Sequence, residues 1–344
     1  MKAVVWKDID TLEMNENYPN PVCKEDWVVI KVMSAGFCAT DLEILKGAFG
    51  NPPSVIGHEI CGVISEVGPK AKGCKVGDRV VVETAVACGY CENCVSGNKH
   101  LCDDCTEVGF PGIDGGYAQY VTCPDNCVHK IPDSMSDDEG GILEACLCPF
   151  GLIYRNGMRL DETVFIWGAG VAGLSFLQSV KLYSPRKVIV AVRRKEAAEI
   201  AYKFGADVVI NAKEENLYER LLEETDGKGP TLSIDSAGAS QTIQDCVKVT
   251  AKGGRVILYG LPGNDTVVPF PINEIILRQL TVIGGTNNQM AWDPLIKYVA
   301  DGRFNVKDMI TERFSIDEYE KGIELLRHKS PYFIKAVLHP WDEK

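Results

Sequence analysis

The residues from Cys88 to Cys102 read CGYCENCVSGNKHLC, four cysteines spaced C-x2-C-x2-C-x7-C. Thiolates packed this closely can surround one ion, and zinc held by four cysteines is the usual closed, structural arrangement. The spacing departs from the ferredoxin-type run C-x2-C-x2-C-x3-C-P of an iron–sulfur cradle. A zinc knuckle for RNA would sit among basic and aromatic residues, and the only cations here are Lys99 and His100. A disulfide framework would need an oxidising compartment. Structural zinc is the favoured reading. Cys105, three residues on, is a spare thiol with no assigned role.

A second constellation lies upstream. The stretch GFCATDLEILKG carries Cys38, Thr40 and Asp41, and IGHEICG carries Gly57, His58 and Glu59. A cysteine, a histidine and one further donor leave zinc an open coordination position, which marks a catalytic rather than a structural site. Taken singly, Cys38 and His58 would be ordinary core residues. Their company changes the reading.

That company includes Gly168-Ala169-Gly170-Val171-Ala172-Gly173, a G-x-G-x-x-G between the apolar run VFIW and a helical pattern. Its glycines permit a tight turn, close backbone approach to a pyrophosphate and close helix–strand packing, with the helix N-terminus facing the phosphates. An NAD site usually has an acid at the end of the next strand for the ribose 2′-hydroxyl. This chain has Ala191-Val192-Arg193-Arg194 there. Two guanidiniums suit a 2′-phosphate, so NADP is expected over NAD.

These residues need elements to position them. Residues 1–148 are rich in glycine and β-branched residues, with strands expected at WVVIKVMSAG, CGVISEVG and GDRVVVET. Over residues 149–285 strands alternate with helical patterns, from TVFIW through KVIVAV, ADVVI, LSIDSAG and GGRVILYG to LTVIGG. Such alternation predicts an α/β fold with a doubly wound parallel sheet. Residues 286–344 add two helical patterns and a last strand, FIKAVLHP. The chain has 344 residues, 45% hydrophobic and 24% charged, with a net charge of −12. An acidic balance argues against nucleic-acid or anionic-membrane partners. No apolar run reaches the length of a membrane span, and acids occupy the place of a signal peptide's apolar core. A cytoplasmic protein with reduced thiols is expected.

In order, GFCATD, GHE, the four-cysteine stretch, DGGYAQYV, GAGVAG and IKAVLHP resemble the zinc-dependent branch of the medium-chain dehydrogenase/reductase superfamily, along essentially the whole chain. The resemblance implies a mostly-β, GroES-like catalytic domain completed by the C-terminal residues, with a Rossmann domain inserted. It implies two zinc ions per chain, one held by Cys88, Cys91, Cys94 and Cys102. Cys38 and His58 would be ligands of the other, Glu59 would bind or exchange there, and Asp41 would orient His58. Thr40 would pass the substrate proton. The last ligand implied is Glu144, 24 residues before Gly168, although Ala145-Cys146 departs from the Pro-Leu that usually follows. Cys148 is the alternative if the segment is helical. Glu43 stands where many relatives have a relay histidine. Glu144 in place of cysteine points to a polyol or other small secondary alcohol, with its carbonyl product, as substrate. A homodimer or homotetramer is expected from the resemblance.

Overall fold

The computed structural model describes residues 1–263, 266–286 and 289–342. It divides into two compact units, Met1–Leu147 with Asn288–Lys344, and Cys148–Asn287. The boundary between Leu147 and Cys148 falls inside one helix, Leu143–Asn156.

The first unit is organised around the strand Trp27–Gly36, whose Val28, Val29, Ile30 and Val32 are buried in a seven-stranded, largely antiparallel sheet. This strand pairs with Glu59–Val67, Tyr120–Pro124 and Lys335–His339. The last of these arrives from the far end of the chain. Register sets Gly36 opposite Glu59 on one side and Val337 on the other. One backbone position therefore brings together segments some 300 residues apart. Trp6, Ile30, Phe37, Ile60 and Leu338 belong to the core beneath.

In the second unit six parallel strands run Thr163–Trp167, Lys187–Val192, Val208–Asn211, Leu232–Asp235, Arg255–Leu258 and Thr281–Gly284. Their spatial order is third, second, first, fourth, fifth, sixth. This is the doubly wound order, and its ligand crevice opens where the order reverses, beside the first strand. TVFIW is buried at every position, as a strand covered by helices on both faces must be. Helices Val171–Lys181, Lys195–Lys203, Leu217–Glu224 and Ser240–Val249 link the strands. The helix Ile272–Arg278 has no counterpart in the sequence reading; Ile272, Ile276 and Leu277 face solvent, so no buried apolar stripe announces it. No helix among the described residues is long and apolar enough to cross a membrane.

Candidate active site

Cys38 caps the helix Ala39–Leu45, and its backbone N–H donates to Asp41 Oδ2 at 2.9 Å. His58 follows Gly57, which has φ +97° and lies against Tyr117; a Cβ there would meet the ring at 2.5 Å. Only glycine lets the turn pass. Glu59 opens the next strand. The result is that one donor atom each from Cys38, His58 and Glu59 lies within 4.8 Å of the others. His58 and Glu59 are buried, while Cys38 is half-buried.

The charges at this cluster suit a cation. Glu59 Oε1 pairs with the buried ammonium of Lys335. Glu59 Oε2 is buried and lacks a hydrogen-bond partner among the described residues. An orphaned carboxylate oxygen away from water is costly unless something positive meets it. Burial pushes the Glu59 carboxyl up to about 8, against the pull of Lys335. Burial also works to raise the Cys38 thiol, but Lys335 and His58 outweigh it and bring it to about 7. Burial lowers His58, yet the Cys38 thiolate and Asp41 carry it well above the usual imidazole range. The Cys38 thiol is poised to ionise, and a divalent ion binding here would displace the protons that His58 and Glu59 retain. Sulfur, nitrogen and oxygen together suit zinc.

Asp41 is fully buried behind His58. Its Oδ2 accepts from Tyr117 Oη at 2.6 Å as well as from Cys38. Its Oδ1 lies 3.3 Å from His58 Nδ1, close but without good hydrogen-bond alignment. Thr40 is half-buried on the first turn of the same helix. Glu43 is exposed and pairs with Lys46 at 2.8 Å. Glu144 lies outside the 4.8 Å group. It is half-buried, and its carboxyl is pushed up to about 7 by burial and by Glu59, against His58. Cys148 is one turn further along the same helix, so the two share a face.

The four cysteines also converge. Cys91 and Cys94 sulfurs are 3.4 Å apart, Cys88 and Cys102 3.5 Å, and Cys88 and Cys94 3.8 Å. A tetrahedral zinc with bonds of ~2.3 Å separates its sulfurs by about 3.8 Å. All four are free thiols, and backbone N–H groups of Tyr90 and Cys91 bring the Cys88 thiol down to about 7. Cys105 stays outside the group, its sulfur 3.5 Å from Thr106 O.

In the second unit, Gly168 takes φ +108° and Gly170 caps the helix Val171–Lys181, whose first turn holds Val171, Ala172 and Gly173. A Cβ at Gly173 would strike Gly168 O at 2.1 Å, whereas one at Gly170 would meet only open space. The first glycine contact is structural; the second leaves the backbone open to a ligand. Val192 ends the second strand, buried, and Arg193 and Arg194 after it are exposed.

Comparison with known proteins now decides the family. Residues 24–133 match the alcohol dehydrogenase GroES-like domain, and residues 172–301 match the zinc-binding dehydrogenase family. The chain is 33% identical to an L-threonine 3-dehydrogenase of Pyrococcus abyssi, over 87% of this chain and 88% of that one. It is 29% identical to a sorbitol dehydrogenase of Bacillus subtilis, over 99% and 97%. A zinc-binding dehydrogenase of Sinorhizobium meliloti solved with NADP superposes with a TM-score of 0.92 at 26% identity, covering 98% of this chain and 99% of that one. An Escherichia coli alcohol dehydrogenase solved with NADH gives 0.92 at 28%, covering 99% of each. The chain belongs to the zinc-dependent medium-chain dehydrogenase/reductase superfamily.

This dehydrogenase has site residues that its sequence alone left unassigned. Lys335 is one; a lone lysine amid FIKAVLHP, in a strand otherwise buried, signals a hidden charge that needs a partner. Tyr117 is another, inside DGGYAQYV, holding Asp41 in place. Trp167 is a third. Its indole Nε1 donates to Asp245 at 3.1 Å, Gln241 donates to the same carboxylate at 2.8 Å, and the Arg193 guanidinium sits 5.3 Å over the ring.

Proposed function

We propose that the protein oxidises a small secondary alcohol or polyol to its carbonyl product, or reduces that carbonyl, with NADP preferred over NAD as hydride carrier. The observation that supports this most directly is the buried convergence of Cys38, His58 and Glu59. In this reading Cys38, His58 and Glu144 hold the catalytic zinc, with Glu59 binding or exchanging there. Cys88, Cys91, Cys94 and Cys102 hold a second, structural zinc. The functional division is residues 1–148 with 286–344 for catalysis and 149–285 for the nucleotide.

When bound, zinc lowers the pKa of an alcohol as a Lewis acid, and the nicotinamide carries the hydride. The chain's own residues do the rest. Thr40 takes the hydroxyl proton toward solvent. Asp41, gripped by Tyr117 and the Cys38 N–H, fixes the orientation of His58. Lys335 balances the charge of Glu59, which keeps one carboxylate oxygen engaged and leaves the other for the metal. Gly168 makes the turn, Gly170 leaves the backbone N–H groups open to the pyrophosphate, Gly173 lets the helix pack close beneath it, and Arg193 and Arg194 meet a 2′-phosphate. The protein works in the cytoplasm as a homodimer or homotetramer. The exposed Ile272, Ile276 and Leu277 adjoin the edge strand Thr281–Gly284 in sequence and offer apolar surface for a second copy.

Metal analysis and an alcohol screen followed at 340 nm with both cofactors test the proposal. Two zinc ions per chain and reduction of NADP by secondary alcohols are expected. One zinc or none, with no turnover, overturns it.

A further inference from the structure

A groove of about 880 Å³ opens in the first unit, and none of Cys38, His58 and Glu59 lines it. Small-molecule sites occupy roughly 300–1,000 Å³ and are mostly apolar with a few placed polar groups. The helix Tyr319–Arg327 and the strand Ile310–Ser315 supply its walls, and the buried Leu45 and Ile323 belong to its apolar lining. Two aromatic residues, Phe314 and Tyr319, line it as well. These walls are fixed. The Phe314 ring packs edge-on against the buried Phe37 at 6.0 Å, and a Cβ at Gly322 would strike the same ring at 2.2 Å, so strand and helix are locked to one core residue. Little ordering is then left for a ligand to impose.

The charges around the groove do not balance. Its basic side chains are all taken: Arg327 pairs with Asp10, Lys321 lies 2.8 Å from Glu318, and His328 lies 3.3 Å from Glu324. Two carboxylates are left over. That of Glu312 has no ion pair or hydrogen bond among the described residues, and that of Glu320 has only the Tyr319 hydroxyl, at 3.3 Å. Strand alternation sets Glu312 on the same face as Phe314. Burial raises the Tyr319 phenol, and the carboxylates of Glu320 and Glu13 add to it, so the negative field reaches the aromatic lining. Negative charge beside aromatic faces is the chemistry that holds ammonium groups.

We propose that this groove binds a small organic cation with an apolar body, its charged nitrogen beside Glu312 and Glu320 and its apolar part against Phe314 and Ile323. The site lies apart from the Cys38, His58 and Glu59 group, and it stands whether or not the protein oxidises an alcohol.

The probe is benzyltrimethylammonium, whose quaternary nitrogen has no lone pair for a metal and no hydrogen to lose as hydride. N,N-dimethylbenzamide, of similar size and uncharged, is the comparison. Calorimetric titration of the full chain at low ionic strength should show the cation bound about three- to thirtyfold more tightly than the amide, the range of one cation–π contact with exposed charge pairs. Glu312→Gln with Glu320→Gln, both exposed and so compatible with folding, should bring that ratio toward one. Glu214→Gln with Glu219→Gln, two exposed carboxylates of the second unit, should leave it unchanged and so separates the groove from the general acidity of the chain. No saturable binding of the cation overturns the proposal. So does a wild-type ratio of one or less, or a ratio that the two double variants lower equally or not at all.

Discussion

The four thiols between Cys88 and Cys102 come from fifteen consecutive residues, whereas Cys38, His58 and Glu59 meet only because sheet register sets Gly36 between Glu59 and Val337. The surroundings differ as much as the routes. The first group sits in a lobe whose apolar side chains face water: Tyr90, Val95 and Leu101 are all exposed. Lys99 ties it to the body, paired at 2.7 Å with the buried Glu83. The second group lies beside a packed core, backed by a carboxylate, a phenol and a buried ammonium. Four like, soft donors saturate an ion and close it off. Three unlike donors leave room for a substrate. On the proposed reading, the lobe would need a metal in order to fold, and the buried centre, which has its fold from the core, would need one in order to react.

Substitution should separate these two dependences. His58→Ala should cost about 10^3-fold or more in kcat, since Lewis-acid stabilisation is worth several kcal/mol. Zinc content should fall from two to one per chain while the melting temperature changes little. Cys94→Ser should do the reverse, lowering the melting temperature by about 10 °C as the lobe loses the metal that orders it. Activity measured well below that transition should survive in the folded fraction. Inductively coupled plasma analysis beside calorimetric melting reads both. Equal melting losses in the two variants would erase the distinction.

The same contrast explains what the sequence made legible. The strand TVFIW announces itself by an unbroken run of β-branched and apolar residues and WVVIKVMSAG by a dense one, and they fold over those residues. The glycine turn follows from local backbone demands. The four-cysteine lobe is equally local, and its sulfurs converge as their spacing suggests. Lys335 and Tyr117 were quoted within motifs but carried no role, because what they touch is set by pairings with residues 276 and 76 positions away. Glu144 matched by position, yet its carboxylate lies outside the tight group, a distance that no count along the chain can supply.

Cofactor choice offers a finer contrast, between the buried Val192 and the exposed arginine beside it. Val192→Asp with Arg193→Ala removes a phosphate contact and adds a charge that repels the 2′-phosphate while accepting a 2′-hydroxyl. The NADP:NAD ratio of kcat/KM should fall about ten- to a hundredfold. A wild type that already prefers NAD, or a ratio unmoved in the double variant, would reduce the arginines to a solvated edge.

The smallest effect expected concerns how Arg193 is held. An exposed guanidinium on a flexible stem loses rotamer freedom when it grips a phosphate. Here the Trp167 ring lies beneath it, and the ring is itself fixed by the Asp245 bond to its Nε1. Part of that ordering is therefore complete before the cofactor arrives. Cation–π contact at an exposed site is worth about 0.5–1 kcal/mol. Trp167→Leu should accordingly lower the NADP:NAD ratio about two- to fivefold. Trp167→Phe, which keeps a ring face but not the bond to Asp245, should fall between. Trp167 is buried, so either change can also lower the melting temperature. The cofactor ratio, measured in one preparation, is insensitive to how much of it is folded. A ratio identical in all three proteins would mean that the ring under Arg193 has no part in cofactor selection.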